Sequence, residues 1–334
     1  MRLALFDVSH WHVPLYLPAL EVPGVEVVGL CDAENFAGTR LAERLGCPLL
    51  PRDELMAKEF DFALVFSRHA EMAGVAQALI DRRTPFLIEK PCGLTSAAVR
   101  GLERAARAAG VFVTVPLILR VSELMARLTQ DGTLSPDGYR HLSFRFVVGP
   151  IARYENSGCA WMLRADQAGG GSAINVGVHF YDLVAALTQS PVVSVSGATR
   201  SFRDDVEVEE LAAFLMTTAS GQVAAVTTGY LYPNTPDDQR EFSFSVAHAD
   251  AYLQGATGQL GVKLPGKAAL STRHVDYETD RFYPPFLADA LARVRAGSPP
   301  LVGLPEAARA VAVVEAGYRS ARNGGSAEPV EASA

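Results

Sequence analysis

The chain has 334 residues, 49% of them hydrophobic and 20% charged, which is enough for two domains with cores of their own. A formal net charge of −7 and an isoelectric point near 5.6 argue against nucleic acid or another polyanion as partner. No apolar run approaches the roughly 20 residues that span a bilayer, and Met1 to Asp7 lack the basic region, apolar run and cleavage site of a signal peptide. A cytoplasmic protein without a membrane partner is expected. Four cysteines, Cys31, Cys47, Cys92 and Cys159, are scattered without metal-type spacing and read as reduced thiols.

Residues 3–6 form a first apolar run, followed by a polar break and a helical stretch over 14–20, where proline is tolerated in the opening turn. Residues 25–31 are a second apolar run ending at Asp32, and a helical pattern over 35–45 stops at Gly46. Strand 62–66 precedes helix 71–80. Strand 86–88 leads into Glu89-Lys90-Pro91, and helix 96–109 ends at Gly110 before strand 111–115. Strands that are apolar throughout, separated by helices, predict a parallel sheet covered on both faces. Residues 1–119 therefore read as a doubly wound α/β domain. From Arg120 onward the pattern changes to β-rich runs at 192–199, 212–218, 222–229, 241–247 and 251–253, then helices over 285–296 and 305–320. Residues 120–334 read as an α+β domain on a largely antiparallel open sheet that offers a face to a partner subunit. The small, polar tail after Gly324 is expected to be disordered.

In the first βα turn a dinucleotide fold normally carries G-x-G-x-x-G, so that backbone amides approach the diphosphate at a helix N-terminus. Here the turn reads Asp7-Val8-Ser9-His10-Trp11-His12, with Asp7, Ser9 and His12 at all three glycine positions. Asp and Ser tolerate tight turns, and Ser9, His10 and Trp11 are the candidate contacts to a dinucleotide. Asp7, however, brings a negative charge to the place of the phosphates, so loss of the ordinary grip is the competing reading. His10-x-His12 has no third ligand nearby, and no metal is expected. Asp32, at the end of the second strand, is placed for a ribose 2′-hydroxyl, or for a helix cap. Ser67 and His69 follow the third strand at its carboxyl end, where ligands gather; a capping role for His69 is the alternative.

Pro91 biases Lys90 towards an extended backbone, so that its ammonium projects from the strand end, able to polarise an oxygen and exchange a proton. Glu89 orients it or touches the cofactor. Gly169-Gly170-Gly171 opens a segment carrying Asn175, His179 and Asp182 at spacings of four and three, along one face of a helix. His179 is the titrating member. Asn175 orients, and Asp182 either holds the His179 ring in one tautomer or pairs elsewhere. Trp161 and Arg164 precede the glycines as candidate substrate contacts, with core packing the alternative for Trp161.

With Glu89-Lys90-Pro91 and the stretch from Gly169 to Asp182 both in view, the chain resembles the Gfo/Idh/MocA oxidoreductase family. The triplet is similar to that family's E-K-P signature, the second stretch to its glycine pair leading to D/N-x-G-x-H-x-x-D, and Arg120 to its frequent arginine at the domain junction. Tyr318-Arg319-Ser320-Ala321 is similar to its C-terminal helix. The resemblance implies a Rossmann domain, NAD (NADP less favoured), and hydride transfer at a carbinol carbon of a sugar, cyclitol or related polyol. Lys90 would contact the reacting oxygen, His179 would act as acid/base, and Asn175, at a position often Asp, would orient substrate; Arg120, Trp161 and Arg164 would line the substrate. It also implies a homodimer or homotetramer. A catalytically inactive binding or regulatory protein on the same scaffold is the alternative, motivated by the missing glycines.

Overall fold

Strands buried on both faces pair in parallel in the computed structural model, which describes residues 1–233, 240–256, 258–266, 271–275 and 279–331. These strands are β1 (Arg2–Phe6), β2 (Glu26–Leu30), β3 (Phe62–Val65), β4 (Phe86–Ile88) and β5 (Val113–Thr114), in the order β2-β1-β3-β4-β5. Every residue of β3 and β4 is buried, as a sheet covered by helices requires. Beyond β2 a further strand is reduced to Leu49, which bridges Leu30 in parallel. Pro48 and Pro51 flank it and offer no N–H to extend the ladder. The strand order reverses between β1 and β3, so the crevice at their carboxyl ends is the place for a ligand. Helices stop where the glycines predict, at Gly46 with φ 64 and Gly110 with φ 67. The second helix starts only at Gly38, because Asn35 takes a φ of 53.

The sequence places a single boundary after residue 119, whereas the folded chain interleaves two compact units. The first comprises Met1–Leu117, Ala152–Gly169 and Asp280–Ala308; the second comprises Ile118–Ile151, Gly170–Thr279 and Arg309–Ala334. Returning segments matter for the first unit: Cys159 Sγ donates to Ser9 O at 3.4 Å, and the Tyr283 hydroxyl lies 3.1 Å from His12 Nε2.

In the second unit, nine strands among the described residues form one sheet: β6 (Tyr139–Val148), β7 (Val192–Arg200), β8 (Leu211–Thr218), β9 (Val223–Gly229), β10 (Arg240–His248), β11 (Tyr252–Ala256), β12 (Gln259–Lys263), β13 (Ser271–His274) and β14 (Glu328–Pro329). Their order is β13-β12-β11-β10-β6-β9-β8-β7-β14, antiparallel except where β6 pairs with β9. Alternation follows the pleat: Ala212, Phe214 and Met216 are buried, while Leu215 is 51% exposed. Helix Val178–Thr188 packs on this sheet through Phe180, whose ring centroid lies 5.5–5.7 Å from those of Phe144, Phe146 and Phe242. The tail after Gly324, expected to be disordered, instead adds β14 to the edge of β7, and Val330 N donates to Val193 O at 2.9 Å. An open edge offers unpaired backbone groups that a short extended tail can satisfy. Residues 332–334 lie outside the described part. No helix among the described residues is long and apolar enough to cross a membrane.

Candidate functional site

β1 ends at Phe6, and Asp7 takes a φ of 59, the left-handed conformation a glycine supplies in this turn. Aspartate reaches it because its short side chain is bound. Arg52 Nη2 donates to Asp7 Oδ2 at 2.9 Å, and Ser67 Oγ donates to the same oxygen. Arg52 also pairs with Glu71 at 3.0 Å. Burial alone would lower the Arg52 pKa, but the charges and hydrogen bonds of Asp7 and Glu71 raise it. The charge that the sequence brings to the phosphate turn is therefore matched by a cation 45 residues away. Ser67, a candidate cofactor contact, binds Asp7 through its hydroxyl.

Ser9 performs a second local task. Its N–H and Oγ–H donate to Asp32 at 3.2 and 2.8 Å, and its Oγ accepts from Ala37 N at 2.9 Å. Asp32 Oδ2 in turn accepts from Gly38 N at 2.7 Å, so Asp32 caps helix Gly38–Leu45. A Cβ on Gly38 would lie 2.7 Å from Asp32 Cβ, which explains the glycine. This hold on the helix start is compatible with the ribose contact also expected of Asp32. Asp7, Asp32, Leu50, Arg52 and Glu71 line a cavity of about 510 Å³ at the ends of β1 and β2.

The next three residues are aromatic. His10 Nδ1 accepts from His12 N at 3.1 Å, which leaves the ring proton on Nε2. That N–H and the Trp11 Nε1–H are both buried without a hydrogen-bond partner among the described residues. Orphaned donors at this turn fit the acceptor oxygens of a dinucleotide diphosphate, and with the cavity beside Asp32 they show that the chain's residues fit such a cofactor. Burial pushes the His10 pKa well down, so the donor is the neutral ring. His69 Nδ1 lies 2.8 Å from Ala168 O, and burial lowers its pKa to about 3. Trp161, 5% exposed, packs between these rings, with centroids 6.1 Å from His10 and 5.0 Å from His69. Its observed setting is packing within this unit. Arg164 is 60% exposed and pairs with Asp166 at 3.3 Å.

At the end of β4, Glu89 is fully buried. The Tyr16 hydroxyl donates to Glu89 Oε1 at 2.6 Å, and His12 Nδ1 stands 3.0 Å from Oε2. Lys90, joined to Pro91 by a cis peptide bond, is 1% exposed rather than projecting freely from the strand end. Its Nζ lies 5.3 Å from the centre of the Trp11 ring, as does the Arg153 guanidinium carbon. Burial lowers the Lys90 pKa to about 8; Arg153 pushes the same way, against Glu89 and Cys92. A lysine brought this close to neutrality can exchange protons.

In the second unit, the expected single helix face is interrupted. Ala173–Gly177 is a π-helical turn and Val178–Thr188 an α-helix, so Asn175 leaves the α-helical row and only His179 and Asp182 keep it. Gly177 leaves room for the Tyr181 hydroxyl, which a Cβ there would approach to 2.4 Å. Asn175 Nδ2 donates to the Tyr230 hydroxyl at 2.9 Å, which fixes its amide. His179 is half-buried. Asp182 binds Arg120 in two bonds of 2.7 Å each, so these two residues are engaged with each other.

Glu209, which the sequence does not single out, clamps the start of this segment. Gly171 N and Ala173 N each donate to its carboxylate at 2.8 Å, Ser172 N donates to its carbonyl at 3.2 Å, and the Tyr318 hydroxyl donates to Oε1 at 2.9 Å. A Cβ on Gly171 would lie 1.9 Å from Glu209 O. Gly171→Ala is expected to destabilise by about 1–3 kcal/mol, read as a lower urea midpoint at unchanged slope. Arg52, Tyr16 and Tyr230 were likewise invisible as site residues. Their only sequence signal is polarity beside an apolar run.

Two family models match. Residues 13–117 match "Oxidoreductase family, NAD-binding Rossmann fold", starting directly after the unusual turn, and residues 141–248 match "GFO/IDH/MocA C-terminal domain". The chain is 24% identical over 332 residues to D-apiose dehydrogenase of Paraburkholderia graminis, covering 92% of this chain and 84% of that one. Among solved structures, it is similar to GenD2 from gentamicin A biosynthesis in complex with NAD (TM-score 0.83, 20% identity, 99% and 97% covered). It is also similar to an aldose-aldose oxidoreductase from Caulobacter crescentus complexed with glycerol (TM-score 0.79, 18% identity, 98% and 99% covered). By these matches the chain belongs to the Gfo/Idh/MocA family of oxidoreductases, with an NAD-binding Rossmann domain at its N-terminus.

Proposed function

We propose that this oxidoreductase is an NAD-dependent dehydrogenase acting at a secondary alcohol of a sugar, cyclitol or related polyol. The observation that carries the reading is Lys90: a buried lysine beside a buried carboxylate, with its pKa drawn down to about 8, in the NAD-binding unit. The names of D-apiose dehydrogenase and the aldose-aldose oxidoreductase support the substrate class. Ser9, His10, Trp11, Ser67, His69 and Glu89 surround the turn that would hold the cofactor. Bound NAD supplies the hydride acceptor. The Lys90 ammonium donates to the substrate oxygen and stabilises charge developing there. The resemblance of the second unit's motif implies a proton-accepting His179 and an orienting Asn175, whose amide Tyr230 fixes. The carbinol thereby loses a hydride and a proton and becomes a carbonyl. NAD is favoured over NADP because the Arg52 cation is already shared by Asp7 and Glu71 and Asp32 lines the same cavity, a poor setting for a 2′-phosphate.

The missing glycines, the motive for an inactive protein, are accommodated by the left-handed Asp7 and its Arg52 partner, so no observation favours that alternative. Self-association is proposed through the sheet of the second unit, whose strands leave Val193, Leu215 and Tyr252 exposed. Thermal unfolding with NAD, NADH, NADP and NADPH tests the cofactor. At a hundred times Kd the bound form gains about 2.7 kcal/mol, with the NAD pair giving the larger shift. No shift with any of the four overturns the reading.

A further inference from the structure

The left-handed turn after β1 suits a glycine, yet the chain sets a carboxylate there and brings an arginine to it. Backbone pairing explains how the arginine arrives. Leu30 N donates to Pro48 O at 3.0 Å and Leu50 N to Leu30 O at 2.9 Å, so residues 48–50 run beside the end of β2. Arg52 follows at the start of helix Arg52–Met56. Its Nη2 donates to Asp7 Oδ2, after β1, at 2.9 Å and to Glu71 Oε2, after β3, at 3.0 Å. One guanidinium thus bridges the carboxyl ends of the two strands between which the sheet order reverses. Asp7 is 6% exposed, and its Oδ1 accepts a weak bond from Cys31 Sγ at 3.7 Å. Four carboxylates, Asp7, Asp32, Asp53 and Glu71, and one guanidinium, Arg52, line the cavity of about 510 Å³. Arg68, the other cation acting on Asp7 and Glu71, pairs with Glu34.

We propose that Asp7 and Arg52 act as one device that selects NAD over NADP. Arg52 cancels the charge Asp7 brings to the diphosphate turn, and Asp7, with Glu71, withholds Arg52 from an adenosine 2′-phosphate. This rests on the cofactor reading above and deepens it by assigning the selectivity to two residues. Asp7 acts through Arg52 and is a positioning residue. In dinucleotide folds an acidic side chain takes the ribose 2′-hydroxyl, whereas an arginine nearby accommodates the 2′-phosphate. This cavity holds both kinds, Asp32 and Arg52. With two carboxylates 2.9 and 3.0 Å from its Nη2, Arg52 has no net charge to offer a dianion, and the walls set four negative charges against one positive. A ribose hydroxyl, which can donate, is accommodated in that setting. A purely structural role for the pair, holding the turn at a φ of 59, would treat both dinucleotides alike. Asparagine also tolerates that conformation and can accept from Ser67, so Asp7→Asn removes the charge and leaves the turn.

The test is the dissociation constant of the intact protein for NAD and for NADP, measured by titration calorimetry at one fixed ionic strength. Asp7→Asn and Asp7→Gly release Arg52 from one of its two carboxylates. Each is expected to raise NADP affinity relative to NAD by about tenfold or more, the scale of one hydrogen bond to a charged group. Arg52→Met leaves Asp7 uncompensated at the turn that would hold the diphosphate, and is expected to weaken NAD binding by about tenfold or more. Asp7→Asn combined with Arg52→Met is expected to regain wild-type NAD affinity and to lose the NADP gain, because neither charge remains. Should Arg52→Met fail to fold, the double variant, which strands no charge at the turn, carries the comparison. An affinity ratio unchanged in both Asp7 variants overturns the device, as does an NADP gain that survives in the double variant, since it would not run through Arg52. Unweakened NAD binding in Arg52→Met overturns the cancelling role, and a wild type that prefers NADP overturns the selectivity. A wild type that binds NAD while these ratios stay unmoved sinks this inference alone; one that binds neither dinucleotide overturns the dehydrogenase reading with it.

Discussion

Lys90→Met is expected to lower kcat/KM for alcohol oxidation by roughly 10²–10⁴-fold, the range for removing a positioned proton-handling group, while keeping the stabilisation by NAD. Methionine preserves an unbranched chain over Trp11 but carries no charge, so the variant separates chemistry from packing. The measurement is initial rates on a panel of aldoses and polyols, with the thermal shift by NAD as control. Turnover retained in Lys90→Met would remove Lys90 from the mechanism. The pH dependence follows from the same group. With its pKa lowered to about 8, the ammonium is lost as pH rises through that value, so kcat/KM is expected to fall on the alkaline side, and Lys90→Arg, where active, to lack that limb. Stability runs the other way. An unfolded lysine holds its proton to about pH 10.4, so between about pH 8 and that value the unfolded chain binds more protons and the folded state gains stability with pH. Below pH 8 the unfavourable contribution is present in full and constant. This alkaline rise should vanish in Lys90→Met.

The second large effect concerns Arg120 and Asp182, which lie 62 residues apart in the chain and meet in a bidentate pair inside the second unit. Arg120→Met takes the bidentate partner from a carboxylate only 3% exposed and is expected to destabilise that unit by roughly 3–5 kcal/mol. Asp182→Ala should cost less, because the Arg120 side chain is 23% exposed and water can reach it. The combined change Arg120→Met with Asp182→Leu should recover most of the loss, since an apolar pair replaces the ionic one without a stranded charge. Hydrogen exchange on helix Val178–Thr188 reads the effect locally. If Arg120→Met leaves exchange unchanged and instead raises KM, the arginine serves substrate and the pairing is incidental.

Apolar runs without alternation, at 62–66 and 86–88, already require a sheet covered on both faces, and Gly46 and Gly110 end helices for reasons confined to one residue and its own φ. Glu89-Lys90-Pro91 and the glycine-led stretch holding Asn175 and His179 are likewise local patterns, so their membership in a family is legible before any folding. The opposite holds for Asp7. Alone it looks like a charge that would repel a diphosphate; in the folded chain Arg52 and Ser67, 45 and 60 residues away, bind it. Asp182 met Arg120, Asn175 left the helical row at a π turn, and residues 152–169 and 280–308 joined the first unit. Periodicity and turn chemistry act over a few residues and can be read along the chain. The partner of a buried charge is set by which distant groups the packed core brings within about 3 Å, where low dielectric makes pairing decisive, and that was decided only in three dimensions.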